Sequence, residues 1–180
     1  KEKVTTVVSS NECVNKQKQN IVLLFIDDWG WSDIGYRNDT FHTPNLNQFK
    51  KESLEFKRAY IPTPTCSPSR ASLLTGKESV RLEMSRHIPE EEHFINDEYN
   101  IWPKDPVQRP SRNFLPLEEV TYAEKLKELG YYNMFIGKWH LGLGAGEINW
   151  NETISPGPNE VGFDYSNILA ATQDRVPTVY

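Results

Sequence analysis

The apolar and polar positions of this chain alternate between runs that suit strands and runs that suit helices. Residues 1–19 are polar and charged with no apolar period, and predict a flexible lead-in. Ile21-Val22-Leu23-Leu24-Phe25-Ile26 is a continuous apolar run of strand length, the pattern of a central parallel strand buried on both faces, and it stops at Asp27-Asp28. Thr43-Pro44 is a helix start, cap then N1 proline, with Leu46 and Phe49 following at helical spacing. Leu54 to Tyr60 reads as a second strand that delivers the chain to Cys66. From there Ser69, Ala71, Leu73 and Leu74 predict a short helix, with Pro68 in its first turn and Gly76 at its C′ stop. Thr121-Tyr122-Ala123-Glu124 is a capping box, continued by Leu126 and Leu129 and stopped by Gly130. Tyr131 to Ile136 is a third strand, ending at Gly137-Lys138-Trp139-His140.

Recurring strand–helix–strand units predict an α/β fold, a mostly parallel central sheet flanked by helices, over residues 20–180. Between about 81 and 116 the periodicity breaks into an insertion containing Pro, Glu and aromatic residues, expected as a surface loop near the site, and Leu141 to Pro158 is a second Gly/Pro-rich loop. In open α/β sheets ligands bind beyond the carboxyl ends of the strands, where Asp27-Asp28 and Gly137 to His140 fall. No run of eighteen apolar residues exists, so no transmembrane segment is expected. The formal charge of −5, with no basic stripe, argues against a nucleic-acid partner. Cys13 and Cys66 are the only cysteines, too few for a disulfide framework.

Several residues carry candidate chemistry. Cys66 at a helix N-terminus meets free N–H groups and the positive end of the macrodipole, and Arg70 one turn on reaches back with a planar, permanently charged fork. The outcome is an electropositive pocket around a potential nucleophile, although a bare Cys-x-Pro-x-Arg equally fits a buried thiol beside a surface arginine. Asp27 and Asp28 fit strand-end solvation or a cap, and equally a pair of hard oxygen ligands for Ca²⁺ or Mg²⁺. Lys138 and His140, at i and i+2, share one face of an extended segment. His87 and His93 flank Glu90-Glu91-Glu92, which reads as a solvated acidic loop. Arg109 and Arg112 suit an anionic substrate or an ordinary surface, and Trp29, Trp31 and Trp102 suit a sugar or aryl pocket or plain packing.

Cys66-Ser-Pro-Ser-Arg-Ala-Ser-Leu-Leu-Thr-Gly76 resembles the signature of the type I sulfatases of the alkaline phosphatase superfamily at every fixed position. Gly130 to His140 resembles the second sulfatase signature, Gly-Tyr-x-x-x-x-x-Gly-Lys-Trp-His, departing only at Asn133, where the family prefers Ser or Thr. Gly162-Phe163-Asp164 is similar to a further family landmark. The resemblance implies a sulfatase-like α/β fold, present here as an incomplete N-terminal portion of an arylsulfatase-like enzyme whose start is also missing. It implies that Cys66 is oxidised to formylglycine by a formylglycine-generating or anaerobic sulfatase-maturing enzyme, and that the hydrated aldehyde attacks sulfur and then expels sulfate. Asp27, Asp28 and residue 66 would bind Ca²⁺ (or Mg²⁺), and Arg70 would hold the hydrate. Lys138 would bind sulfate and the nucleophile, His140 would orient or deprotonate the hydrate, and Thr172 would lie near the sulfate.

The implied activity is hydrolysis of sulfuric esters of sulfated glycans or aryl alcohols. Phosphonate or phosphodiester hydrolysis, and non-catalytic anion or glycan binding, are the competing readings. Residues 157–180 resemble bacterial arylsulfatase-type enzymes, which implies an exported protein, periplasmic or at the cell surface, with a lysosomal or secreted location as the alternative. Sulfatases draw further metal ligands and another Lys and His from a later segment. The isolated chain is therefore expected to be inactive, and sulfate release from a sulfate ester by the purified 180 residues would contradict this.

Overall fold

The computed structural model of the chain describes residues 18–88, 99–100, 110–142 and 155–169. They divide into two units, with the boundary between Leu54 and Glu55. In the first unit, Ile21 to Ile26 carry no regular secondary structure and are exposed, Val22 at 82%. The expected first strand does not form. Parallel strands satisfy their N–H and C=O groups only through neighbouring strands, and no ladder among the described residues includes this run. Leu54 to Tyr60, the expected second strand, is without a ladder for the same reason.

After a turn at Asp27-Asp28 the chain winds through local turns, in which Arg37 and Asn38 both donate N–H groups to the Ile34 carbonyl (2.9 and 3.0 Å). It then enters α1 (Pro44–Glu52). Pro44 opens the helix as its pattern predicts, but Thr43 does not cap it with its side chain. The hydroxyl instead accepts the Gly35 N–H at 2.9 Å and donates to the Asn47 carboxamide oxygen at 3.1 Å, fastening turn to helix. Gly35 is required there, because a Cβ would sit 2.7 Å from the Phe41 carbonyl oxygen.

The second unit holds the core. Helix α2 (Cys66–Thr75) ends at Gly76 in the left-handed region (φ 68°), whose N–H reaches the Ser72 carbonyl at 2.8 Å. A 3₁₀ turn, Ser79–Leu82, follows, then the short antiparallel pair β1 (Tyr99–Asn100) and β2 (Ser111–Arg112). The stretch 81–116 is therefore not simply a surface loop. Leu82, Met84, Ile88 and Leu115 at its described ends are buried, in one apolar cluster with Ala71 and Leu74 of α2 and with Trp139 and Leu141 after Lys138.

Helix α3 (Tyr122–Glu128) has the predicted capping box: Glu124 N–H meets Thr121 Oγ1 at 3.2 Å and Thr121 N–H meets the Glu124 carboxylate at 2.7 Å. Strand β3 (Met134–Lys138) pairs in parallel with β4 (Tyr165–Leu169), Met134 opposite Tyr165 and Lys138 opposite Leu169. Helices and a parallel pair make the fold α/β. The strand runs to Lys138 rather than stopping at Ile136. Phe135 turns inward against Trp139 and Phe163, at ring-centroid distances of 5.2 Å each, while Met134 and Ile136 face outward. Trp139 is fully buried and gives its indole N–H to the Pro156 carbonyl at 2.8 Å.

The start of β3 is pinned where α3 meets the turn before β4. The buried Asn133 carboxamide donates to the carbonyls of Ala123 (2.8 Å) and Gly162 (3.0 Å), and its peptide exchanges hydrogen bonds with Asp164. Asn at this position supplies two donors where Ser or Thr has one. Gly162 has φ 98°, and a Cβ there would lie 2.4 Å from the Glu124 nitrogen. At Gly76 a Cβ would meet nothing within 4 Å. Gly76→Ala is accordingly expected to cost only the left-handed backbone, about 1 kcal/mol. Gly162→Ala adds a clash with helix backbone and is expected to cost about 3 kcal/mol. Urea unfolding of the two variants beside the parent checks the order, and equal losses would contradict it.

Candidate functional site

Cys66, Arg70, Lys138 and His140 come together in the second unit. Cys66 is the first residue of α2, half-buried, where the first-turn N–H groups have no partner within the helix. One turn on, Arg70 is 8% exposed and its Nη1 donates to the main-chain carbonyl of Lys138 at 2.5 Å. Lys138 is the last residue of β3, and its ammonium donates to Cys66 Sγ at 3.3 Å. The loop of contacts closes on itself: helix to strand through a guanidinium, strand back to helix through an ammonium. Gly137, at φ 112°, sets the backbone for Lys138, and the space beside it is open, so the need for glycine is conformational alone.

His140 reaches the site by a different route from the one its spacing suggests. The strand ends at Lys138, Trp139 enters the core, and His140 adopts φ 56°, so strand alternation does not set its direction. The imidazole is buried, with Nε2 2.9 Å from the Ile88 carbonyl oxygen. A carbonyl only accepts, so Nε2 carries the proton in the neutral ring. Nδ1 is buried and has no hydrogen-bond partner among the described residues. Burial lowers the His140 pKa to about 4, against the raising effect of the Ile88 bond, and the positive charges of Lys138, His87 and Arg70 add to the lowering. The ring is a neutral imidazole at pH 7, able to accept a proton at Nδ1. Sequence reasoning missed Ile88, because a backbone carbonyl leaves no signature in residue type.

In the first unit, Asp27 is half-buried and Asp28 exposed, with a carboxylate oxygen of one within 4.8 Å of a carboxylate oxygen of the other. Asp28 has φ 53°, which breaks the alternation that would send adjacent side chains of an extended chain to opposite sides. Two hard anionic oxygen donors held this close fit Ca²⁺ or Mg²⁺ rather than a soft metal. Other candidates resolve differently. Arg112 pairs with Glu83 at 2.7 Å. The Trp29 indole donates to the Asp33 carbonyl, and Trp31 is covered by the Arg37 guanidinium 3.3 Å from its ring centre. Thr172, His93, Glu90 to Glu92, Trp102 and Arg109 lie outside the described residues.

The His140 environment carries a pH signature. Its folded pKa lies below the unfolded value of 6.5, so below that value the unfolded chain binds the additional proton. The imidazole therefore costs no stability above pH 6.5 and costs progressively more as pH falls toward about 4. Urea unfolding across this window is expected to show a shallower loss for His140→Gln than for the parent, and parallel curves would contradict the burial argument.

The sulfatase family model matches residues 19–173. The N-acetylgalactosamine-6-O-sulfatase of Bacteroides thetaiotaomicron is 36% identical over 168 residues, covering 92% of this chain and 29% of that protein. Human arylsulfatase A is 42% identical over 126 residues, 69% of this chain and 21% of that protein. A solved structure described with the metabolism of multiple glycosaminoglycans by Bacteroides thetaiotaomicron superimposes with a TM-score of 0.68 at 34% identity, covering 90% of this chain and 30% of that one. The chain thus spans less than a third of the length of these relatives. With a match that runs through both motif segments and a shared fold around them, the chain belongs to the sulfatase family.

Proposed function

We propose that the protein carrying this chain hydrolyses sulfuric esters, with sulfated glycans as its principal substrates and aryl sulfates as simpler ones. The observation that carries the reading is the Lys138 ammonium 3.3 Å from Cys66 Sγ at the N-terminus of α2, with Arg70 bound to the Lys138 main chain. A nucleophile in this setting favours an anionic reaction partner, since the helix terminus, ammonium and guanidinium all stabilise negative charge. The preference for glycans is supported by the similarity to an N-acetylgalactosamine-6-O-sulfatase.

In this reading Cys66 is converted by a maturing enzyme to formylglycine, whose hydrated aldehyde supplies an attacking hydroxyl and a second hydroxyl through which sulfate is released. Asp27 and Asp28 hold Ca²⁺ or Mg²⁺, which when bound offsets sulfate charge and polarises the sulfur centre. Lys138 places its ammonium against the sulfate oxygens and the group at position 66. Arg70 keeps the end of β3 on α2 and, with its remaining donors, steadies the hydrate. His140, neutral at pH 7, takes a proton at Nδ1. Thr172 contributes a hydroxyl to the sulfate. The protein is exported, to the periplasm or cell surface.

The test uses the complete protein purified from its native source. The tryptic peptide Ala59 to Arg70 is expected to carry an aldehyde in place of the Cys66 thiol. Sulfate release from a 6-sulfated N-acetylgalactosaminide is expected to be abolished by a chelator and lowered about 100-fold by Lys138→Ala. A thiol at residue 66 together with no sulfate release would overturn the assignment.

A further inference from the structure

Ser67 directly follows Cys66 and is fully buried, yet it does not line the anion pocket by any contact described above. Its Oγ accepts the Ile88 N–H at 3.0 Å. Ile88 is itself buried, and its carbonyl accepts the His140 Nε2–H at 2.9 Å. Residue 88 is therefore held at its nitrogen by the helix that carries the nucleophile and presents its carbonyl to the imidazole. A buried N–H that loses its acceptor is costly enough to make the segment move in search of another partner. His140 sits in the left-handed region at φ 56°, a conformation that persists only where surroundings hold it. Within the described residues, the Ile88 carbonyl is the hydrogen-bond partner that does so at the ring.

We infer that Ser67 is a positioning residue for His140: through Ile88 it determines which ring nitrogen carries the proton and leaves Nδ1 unprotonated, with its lone pair available to accept one. The Ser67 hydroxyl and the position-66 side chain leave the same helical turn, so the helix that carries residue 66 also anchors the peptide on which the imidazole rests. The order of dependence is Ser67 to the Ile88 nitrogen, the Ile88 carbonyl to Nε2, and Nε2 to the free lone pair on Nδ1. A ring in the other tautomer would carry its proton at Nδ1 and could no longer accept one there. The low His140 pKa agrees, since a ring kept neutral has a tautomer to choose. The inference rests on the assignment of His140 as proton acceptor under the proposed function.

The experiment uses the complete matured protein labelled with ¹⁵N-histidine, with His140→Gln to assign the signal. The parent and Ser67→Thr, which keeps the hydroxyl, are expected to show the Nε2–H tautomer of His140. Ser67→Ala is expected to show a mixed or Nδ1–H tautomer. Its kcat is expected to fall about tenfold, KM to change less than twofold, and the formylglycine content of the Ala59 to Arg70 peptide to stay at the parent level. Unchanged tautomer and kcat in Ser67→Ala would overturn the inference. An Nδ1–H signal in the parent would overturn it without any variant, so it remains decidable if Ser67→Ala does not fold. The tautomer is read whether or not the protein turns over substrate, so absent sulfate release from the parent would sink the proposed function and leave the Ser67 result standing.

Discussion

The Arg70 guanidinium on the Lys138 carbonyl is the contact on which the site depends, because it joins a helix start to a strand end from distant parts of the chain. Arg70 is almost wholly buried, and a buried guanidinium without acceptors is one of the costlier states a protein can hold. Losing this hydrogen bond to a charged donor would cost on the order of 1.5–3 kcal/mol. That exceeds the ~0–1 kcal/mol of exposed ion pairs such as Lys125 with Glu128 or Lys127 with Asp164. The carbonyl cannot be supplied by a side-chain substitution elsewhere; it requires β3 to end where it does.

The position of that strand end is set at the strand's other end. Asn133 and Gly162 hold α3, the entry to β3 and the turn before β4 at one point, where helix and turn backbones touch. From there β3 runs in register with β4 to Lys138, with Phe135 and then Trp139 anchored in the core. The strand transmits position from a packed junction to the ammonium that meets Cys66. Asn133 departs from the family pattern without touching the chemistry. It strengthens the junction with a second donor.

The cluster also explains which of its three basic groups is neutral. Arg70 carries a permanent charge and Lys138 an ammonium, so a third positive charge at the buried His140 is disfavoured both by burial and by its neighbours. The imidazole becomes the neutral member. Under the proposed function, these two cations and the neutral imidazole are held in place before an anionic substrate arrives, which leaves little reorganisation for the reaction itself.

The chain's residue pattern determined the local elements and the chemistry: the proline at the start of α1, the capping box of α3, Gly76 closing α2, and the cysteine, arginine, lysine and histidine that meet in the second unit. These were legible because caps, turns and glycine conformations are satisfied within a few residues, and because the two motif runs have distinctive composition. The runs Ile21 to Ile26 and Leu54 to Tyr60 have strand composition but no described ladder, since a strand is completed by hydrogen bonds from another segment. Tertiary structure alone decided that the ends of 81–116 are core, that His140 turns through a left-handed backbone, and that Ser67 and the Ile88 peptide support its ring. Those outcomes turn on which distant segments meet and on main-chain groups such as the Ile88 peptide, neither of which a local side-chain pattern announces.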